Sequence, residues 1–113
     1  MNTDRPKRRH LILYLQVYDN DTKDLLGHVA NITSEGLMII NENPLETDKD
    51  YNLRMILPDK KGLPTYVTFL ARALWSKQDI NTTFYDTGFQ LLNVDPSIKN
   101  AINVIIDKLG FND

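Results

Sequence analysis

Residues 25–41 read LLGHVANITSEGLMIIN. Two runs rich in β-branched and aliphatic residues, LLGHVANI (25–32) and GLMIIN (36–41), flank a short polar connection ending in glycine. Runs of six to eight such residues with turn chemistry between them read as strand, turn, strand. The pattern repeats in both directions. Upstream, LILYLQVY (11–18) alternates Leu11, Leu13, Leu15 and Val17 against Ile12, Tyr14, Gln16 and Tyr18, a period-two strand. DNDTKD (19–24) joins it to the next run as a turn cluster. Downstream, after the loop NENPLETD, YNLRMIL (51–57) puts Leu53, Met55 and Leu57 on one face. TYVTFLARALW (65–75) and TFYDTGFQLL (83–92) complete six strands, separated by PDKKGLP (58–64) and SKQDINT.

Beyond residue 92 the period changes. Asp95-Pro96 is a helix start, an N-cap carboxylate followed by a proline whose missing N–H costs nothing at the first helical position. Ile98, Ala101, Ile102, Ile105 and Leu109 follow at helical spacing, and Gly110 stands where a C-terminal cap belongs. The spacing predicts a helix over about 96–109. Six short strands and one amphipathic helix predict a mainly β protein, a small six-stranded antiparallel barrel capped by its C-terminal α-helix.

The 113 residues are 42% hydrophobic and 25% charged, the composition of an ordinary globular domain that needs no staples. The absence of cysteine removes disulfide, thiolate and Cys-metal chemistry. LILYL is too short to span a bilayer or serve as a signal core, so no membrane span and a cytoplasmic location are expected. The net charge of −2 hides an asymmetry. Residues 1–10 carry Arg5, Lys7, Arg8 and Arg9 against Asp4, a net +3, so residues 11–113 total −5. The expected organisation is a flexible basic N-terminal arm (1–10) on a single acidic domain (11–113). An acidic body repels extended polyanions, so nucleic acid is an unlikely partner and a compact anion gripped by the arm a better one.

Several sites can be set aside. Asp19 and Asp21 begin DNDTKDLLGHVA like a calcium loop, but Asp24 replaces the turn glycine and Ala30 the bidentate glutamate. His10 and His28 lack a partner at helical spacing, so no metal site is expected. No nucleophile elbow, phosphate loop or spaced carboxylate pair is present, so no enzyme and no cofactor are expected. Trp75 and Tyr14, Tyr18, Tyr51, Tyr66 and Tyr85 could stack bases, but in alternating strands such residues more often form core or barrel wall.

Two stretches remain, Arg5-Pro6-Lys7-Arg8-Arg9 and Asn31-Ile32-Thr33-Ser34-Glu35-Gly36. In this order and spacing they resemble the paired RxxxR and [D/N]xSxxG signatures of the PilZ domain. The strand-rich middle, the GFQLL stretch and the closing helix are similar to that family's six-stranded split barrel and C-terminal helix. The resemblance implies a non-enzymatic receptor for the bacterial second messenger cyclic di-GMP, relaying its signal to a separate effector protein in motility, pilus, exopolysaccharide or virulence machinery. It assigns ligand binding to Arg5, Arg9, Asn31, Thr33 and Gly36, with Lys7 and Arg8 as auxiliary charge. Thr33 stands where the family usually has serine. The chemistry is apt, because arginine can donate bidentately to guanine, grip phosphate or lie on a purine face. Asn31 offers an acceptor to a guanine edge and Thr33 a hydroxyl to a phosphate or exocyclic amine. Gly36 is expected to turn the backbone at positive φ and leave room for the ligand. Two other readings are a PilZ-like interaction module without nucleotide binding and a single-stranded nucleic-acid-binding barrel.

Overall fold

The computed structural model describes residues 15–59, 61–93 and 95–109. Six strands and one helix follow in chain order: β1 (Gln16–Asp19), β2 (Leu25–Ile32), β3 (Gly36–Asn41), β4 (Lys49–Ile56), β5 (Tyr66–Gln78), β6 (Tyr85–Leu92) and α1 (Pro96–Leu109). Alternation gives the strands one apolar face each, and the sheet hides those faces by closing on itself. The order is β1-β2-β3-β6-β5-β4, every pair antiparallel, with β4 pairing back onto β1.

β2, β3 and the helix have the boundaries read from sequence. β1 is described only from Gln16, and residues 11–14 lie outside the described residues. β4 starts two residues earlier than expected, at Lys49, and β5 runs three residues further, to Gln78. The extra length of β5 comes from pairing, since Ser76, Lys77 and Gln78 stand opposite Thr87, Asp86 and Tyr85. Polar residues there hide the strand from any apolar period.

Large and small residues are matched inside the barrel. Tyr51 lies opposite Ala71 and Phe89 opposite Ala73, and the two rings meet edge to face with centroids 5.7 Å apart. Val17, Val29, Ile39, Leu53 and Met55 are fully buried around them. At one end the core turns polar. Thr87 Oγ1 donates to Asn41 Oδ1 (3.0 Å), Ser76 Oγ lies 2.8 Å from Thr87 Oγ1, and Leu45 N donates to Ser76 Oγ at 3.2 Å. The Asn41 amide also reaches Asn43 O. Each buried polar group thus finds a partner, and the chain fixes the wall of the 42–48 loop that crosses from β3 to β4.

Asp19, the residue that suggested a calcium loop, caps its own turn, with Oδ1 accepting from Asp21 N (2.8 Å) and Thr22 N (3.2 Å). The helix closes the other end of the barrel. Ile102 and Ile105 are buried in the same core, with Ile98 and Ile106 packed against it. Gly110 and the side chain of Leu109 lie outside the described residues. Asp95 caps the helix as expected, its Oδ1 accepting from Ile98 N (3.0 Å) and Ser97 Oγ (2.7 Å). The Ile98 and Ser97 hydrogen bonds hold the Asp95 carboxyl below its ordinary value of 3.8. A depressed carboxyl contributes stability above that value and loses it as pH falls through the folded-state value. Asp95→Ala should therefore lower the thermal midpoint at pH 7, and the gap to the parent should narrow as pH falls below the ordinary carboxylate value of 3.8, checked by melts from pH 7 into that acid range.

Candidate functional site

The site begins with a bulge. Strict alternation from buried Val29 would send Asn31 inward, but the β2–β3 register slips between Val29 and Asn31. The extra residue lets both Val29 and Ile32 face the core and turns Asn31 outward, where it is exposed. Among the described residues the exposed Asn31 side chain has no hydrogen-bond partner.

The turn that follows is held from three sides. Ile32 and Leu37 pair and are both buried beneath it. Thr33 N donates to Gly36 O at 2.9 Å, closing the loop. Leu91 N donates to Glu35 O at 2.9 Å, tying the tip to β6. Thr33 Oγ1 accepts from Glu35 N (3.2 Å), while its proton points toward Gly36 O across a long 3.4 Å. The hydroxyl therefore shapes the turn with its lone pair and keeps a weakly committed proton.

Gly36 serves a different purpose from the one expected. Its φ is not in the left-handed region; the positive-φ residues among those described are Lys23, Asp48, Asn93 and Gly62. Gly36 pairs with Gln90, and a Cβ on it would sit 2.4 Å from the carbonyl oxygen of Phe89. Close approach of two backbones, not backbone chirality, requires glycine here.

A second bulge, between Ala73 and Trp75 on β5, acts as the first does. Ala73 faces the core, Ser76 reaches the inner polar chain, and Trp75 turns outward opposite Gly88, 40% exposed. Its indole lies across Gly88, where a Cβ would come within 2.4 Å of Cε2. Asn31, Met38, Gly88 and Trp75 form one row over the outer surface of β2, β3, β6 and β5. With strands about 4.8 Å apart, the indole lies roughly 10 Å from the Asn31 position. Sequence reasoning assigned Trp75 to core or barrel wall; neither the bulge nor the glycine beneath the ring shows in local periodicity.

The barrel surface beside the turn offers little free positive charge. Arg72 shares the row of Gly36 and Gln90, but its Nε donates to Asp50 Oδ1 at 2.7 Å. That hydrogen bond holds the Asp50 carboxyl below, and the Arg72 guanidinium above, their ordinary values. Lys77 Nζ rests 5.3 Å from the Trp75 ring centre. Arg5, Lys7, Arg8 and Arg9 lie outside the described residues. Among the described residues no group of three or more His, Asp or Glu is placed to hold a metal ion, and no helix is long and apolar enough to cross a membrane.

By sequence the chain matches no known family profile and no curated protein. By structure it folds as a PilZ-like domain. The PilZ domain of YcgR from Escherichia coli, solved with c-di-GMP, superposes with a TM-score of 0.67 at 14% identity, over 86% of this chain and 81% of that one. YcgR of the same organism in complex with c-di-GMP gives 0.67 at 16% identity, over 91% of this chain and 43% of that one. The Bacillus subtilis inhibitor of motility MotI/DgrA gives 0.69 at 13% identity, over 94% of this chain and 51% of that one. This chain thus spans about half the length of the last two.

Proposed function

We propose that the protein is a cyclic di-GMP receptor that binds without catalysis, using Arg5 and Arg9 of the arm with Asn31, Thr33 and Gly36 of the barrel. The observation that carries the reading is the outward-turned Asn31 beside a clamped Thr33–Gly36 turn, on a barrel of the fold that binds c-di-GMP in YcgR. The division of labour follows from the charges. The barrel contributes amide and hydroxyl groups and a flat indole, while its nearby guanidinium is committed to Asp50. A dianionic dinucleotide needs cations as well, and the arm holds four of the thirteen Lys and Arg residues.

Chain connectivity supports the pairing of the two motifs. Leu15 O accepts from Val29 N at 2.8 Å, so the chain at Leu15 lies two residues from Asn31. β1 runs antiparallel to β2, so the side from which the chain reaches Leu15 is the side toward which β2 leaves for Asn31. Arg9 is six residues before Leu15, within a reach of about 20 Å. Trp75 offers a stacking face for one guanine on the row that begins at Asn31.

Calorimetry with cyclic di-GMP, with GTP and a short single-stranded oligonucleotide as controls, tests this. Fixing several arm residues costs roughly 1–2 kcal/mol each, so an affinity near micromolar, about −8 kcal/mol, is expected. No heat and no amide shift at ~100 μM ligand, a hundredfold above that affinity, would sink the receptor reading. Thr33→Ser keeps the hydroxyl that accepts from Glu35 N and sheds a methyl, so it should bind as well as the parent or better. Thr33→Val loses both the acceptor and the proton and should bind about tenfold more weakly, the scale of one hydrogen bond. A separate effector completes the proposed pathway.

A further inference from the structure

At the barrel end away from the Asn31–Gly36 turn lies an open groove of about 1070 Å³. Its floor and walls carry Leu25, Leu26, Ile40, Leu45 and Phe84. Leu25 leaves 47% of its surface in water, beside the partly exposed Leu26, Ile40, Leu45 and Phe84. Single exposed aliphatics are ordinary, but large ones gathered at a concavity mark an interaction surface. Two carboxylates, Asp24 and Glu42, line the groove, and no lysine or arginine among the described residues does. Asp79 and Asp86 flank the Phe84 connection; burial first, and then the neighbouring Asp79 carboxyl, push the Asp86 carboxyl above its ordinary value, a sign of crowded negative charge.

We infer that this groove docks a basic, apolar segment of a partner protein, with leucine-like side chains seated among Leu25, Ile40, Leu45 and Phe84 and Lys or Arg facing Asp24 and Glu42. Three features favour that occupant. The strand ends that line the groove are paired on both sides, the start of β2 with β1 and β3 and the end of β3 with β2 and β6, so a partner there is held by side chains and not by strand addition. The groove wall is preformed, because Leu45 N is bonded to Ser76 Oγ and through it to Thr87 and Asn41, which lowers the ordering cost of binding. Beside His28, the ionisable groups of the lining are the two carboxylates Asp24 and Glu42, which favours a cationic partner and speeds its arrival.

The groove uses the start of β2 and the end of β3, whereas Asn31 and Gly36 occupy the opposite ends of the same two strands. Messenger and partner could therefore be bound together. The inference does not depend on the messenger reading, and its test is separable from it.

The probe is a capped twelve-residue peptide with Leu and Lys alternating through its centre, with a Leu/Glu peptide as counterpart. Amide shifts of the full-length protein are followed during titration. Saturable changes are expected at residues 24–27, 40–45 and 84 with the lysine peptide, and none with the glutamate peptide. Glu42→Lys and Leu25→Ser should each weaken binding about five- to tenfold. Asp59→Lys, a charge reversal outside the groove, should change it by less than about twofold. All three variants should bind cyclic di-GMP as the parent does, so a failure of messenger binding in every protein would count against the receptor reading alone. Shifts scattered over the acidic surface, or unaffected by Glu42→Lys and Leu25→Ser, would overturn the docking inference. So would displacement of residues 5–10 from the groove by the peptide, which would make the chain's own basic arm the occupant.

Discussion

Arg5→Lys and Arg9→Lys should each weaken cyclic di-GMP binding almost as far as the alanine variants, although formal charge is kept. The proposed role of each arginine is a planar fork against guanine or phosphate, and an ammonium reproduces the charge without the fork. Losing such a charge-assisted contact should cost about 1.5–3 kcal/mol, roughly ten- to more than a hundredfold in affinity. Lys7→Ala and Arg8→Ala should cost much less, and their smaller loss should fade at high salt as exposed charge effects do. Melts without ligand should match the parent, since the core cluster is built from Leu15 to Ile105. Calorimetry at low and high salt separates these cases. Equal losses at all four positions, with Arg→Lys harmless, would reduce the arm to an electrostatic attractant. On this proposal the arm supplies the cations, since the guanidinium of Arg72 is already paired with Asp50.

The parts of this architecture that were legible in sequence are those set by a local period. LLGHVANI and GLMIIN carry enough β-branched residues, with a polar turn between, to give both boundaries of β2 and β3. Asp95-Pro96 and the isoleucine spacing did the same for α1. The end of β5 was not legible, because Lys77 and Gln78 extend it through pairing with β6 and not through burial. The candidate site was half legible. Asn31, Thr33 and Gly36 stand in a motif, but the bulge that turns Asn31 outward depends on β3 opposite. Trp75 is the clearest case. Its exposure follows from a register slip and from Gly88 on a strand ten or more residues away, neither of which has a local signature. Gly36 is legible through the motif, but the positive φ expected there is absent, since the constraint on it comes from Phe89 across the sheet.

That difference makes Gly36 the sharpest structural test. Gly36→Ala places a Cβ 2.4 Å from the Phe89 carbonyl oxygen, and both chains are fixed there by the Gly36–Gln90 and Leu37–Phe89 pairs and by Leu91 N on Glu35 O. Neither backbone can swing aside as a side chain would, so the β3–β6 seam must open. Overpacking of this kind costs about 1–3 kcal/mol. The smaller unfolded-state entropy of alanine returns about 0.4–1 kcal/mol, which is not enough to reverse the sign. A fall in thermal midpoint of several degrees is expected, at roughly 4–8 °C per kcal/mol for a domain near this size. Gly27→Ala is the matched control, because a Cβ there would meet the Ile40 carbonyl oxygen at the same 2.4 Å, four residues along β2 from Asn31. Both variants should lose stability, but only Gly36→Ala should also weaken cyclic di-GMP binding in the folded fraction. Asparagine settles the cause. At a positive-φ position it is tolerated better than alanine, whereas against a fixed carbonyl its larger side chain is worse. The expected order of thermal midpoints is therefore glycine, then alanine, then asparagine, and a midpoint for Gly36→Asn above that of Gly36→Ala would show that the turn conformation, not the contact with Phe89, demands the glycine.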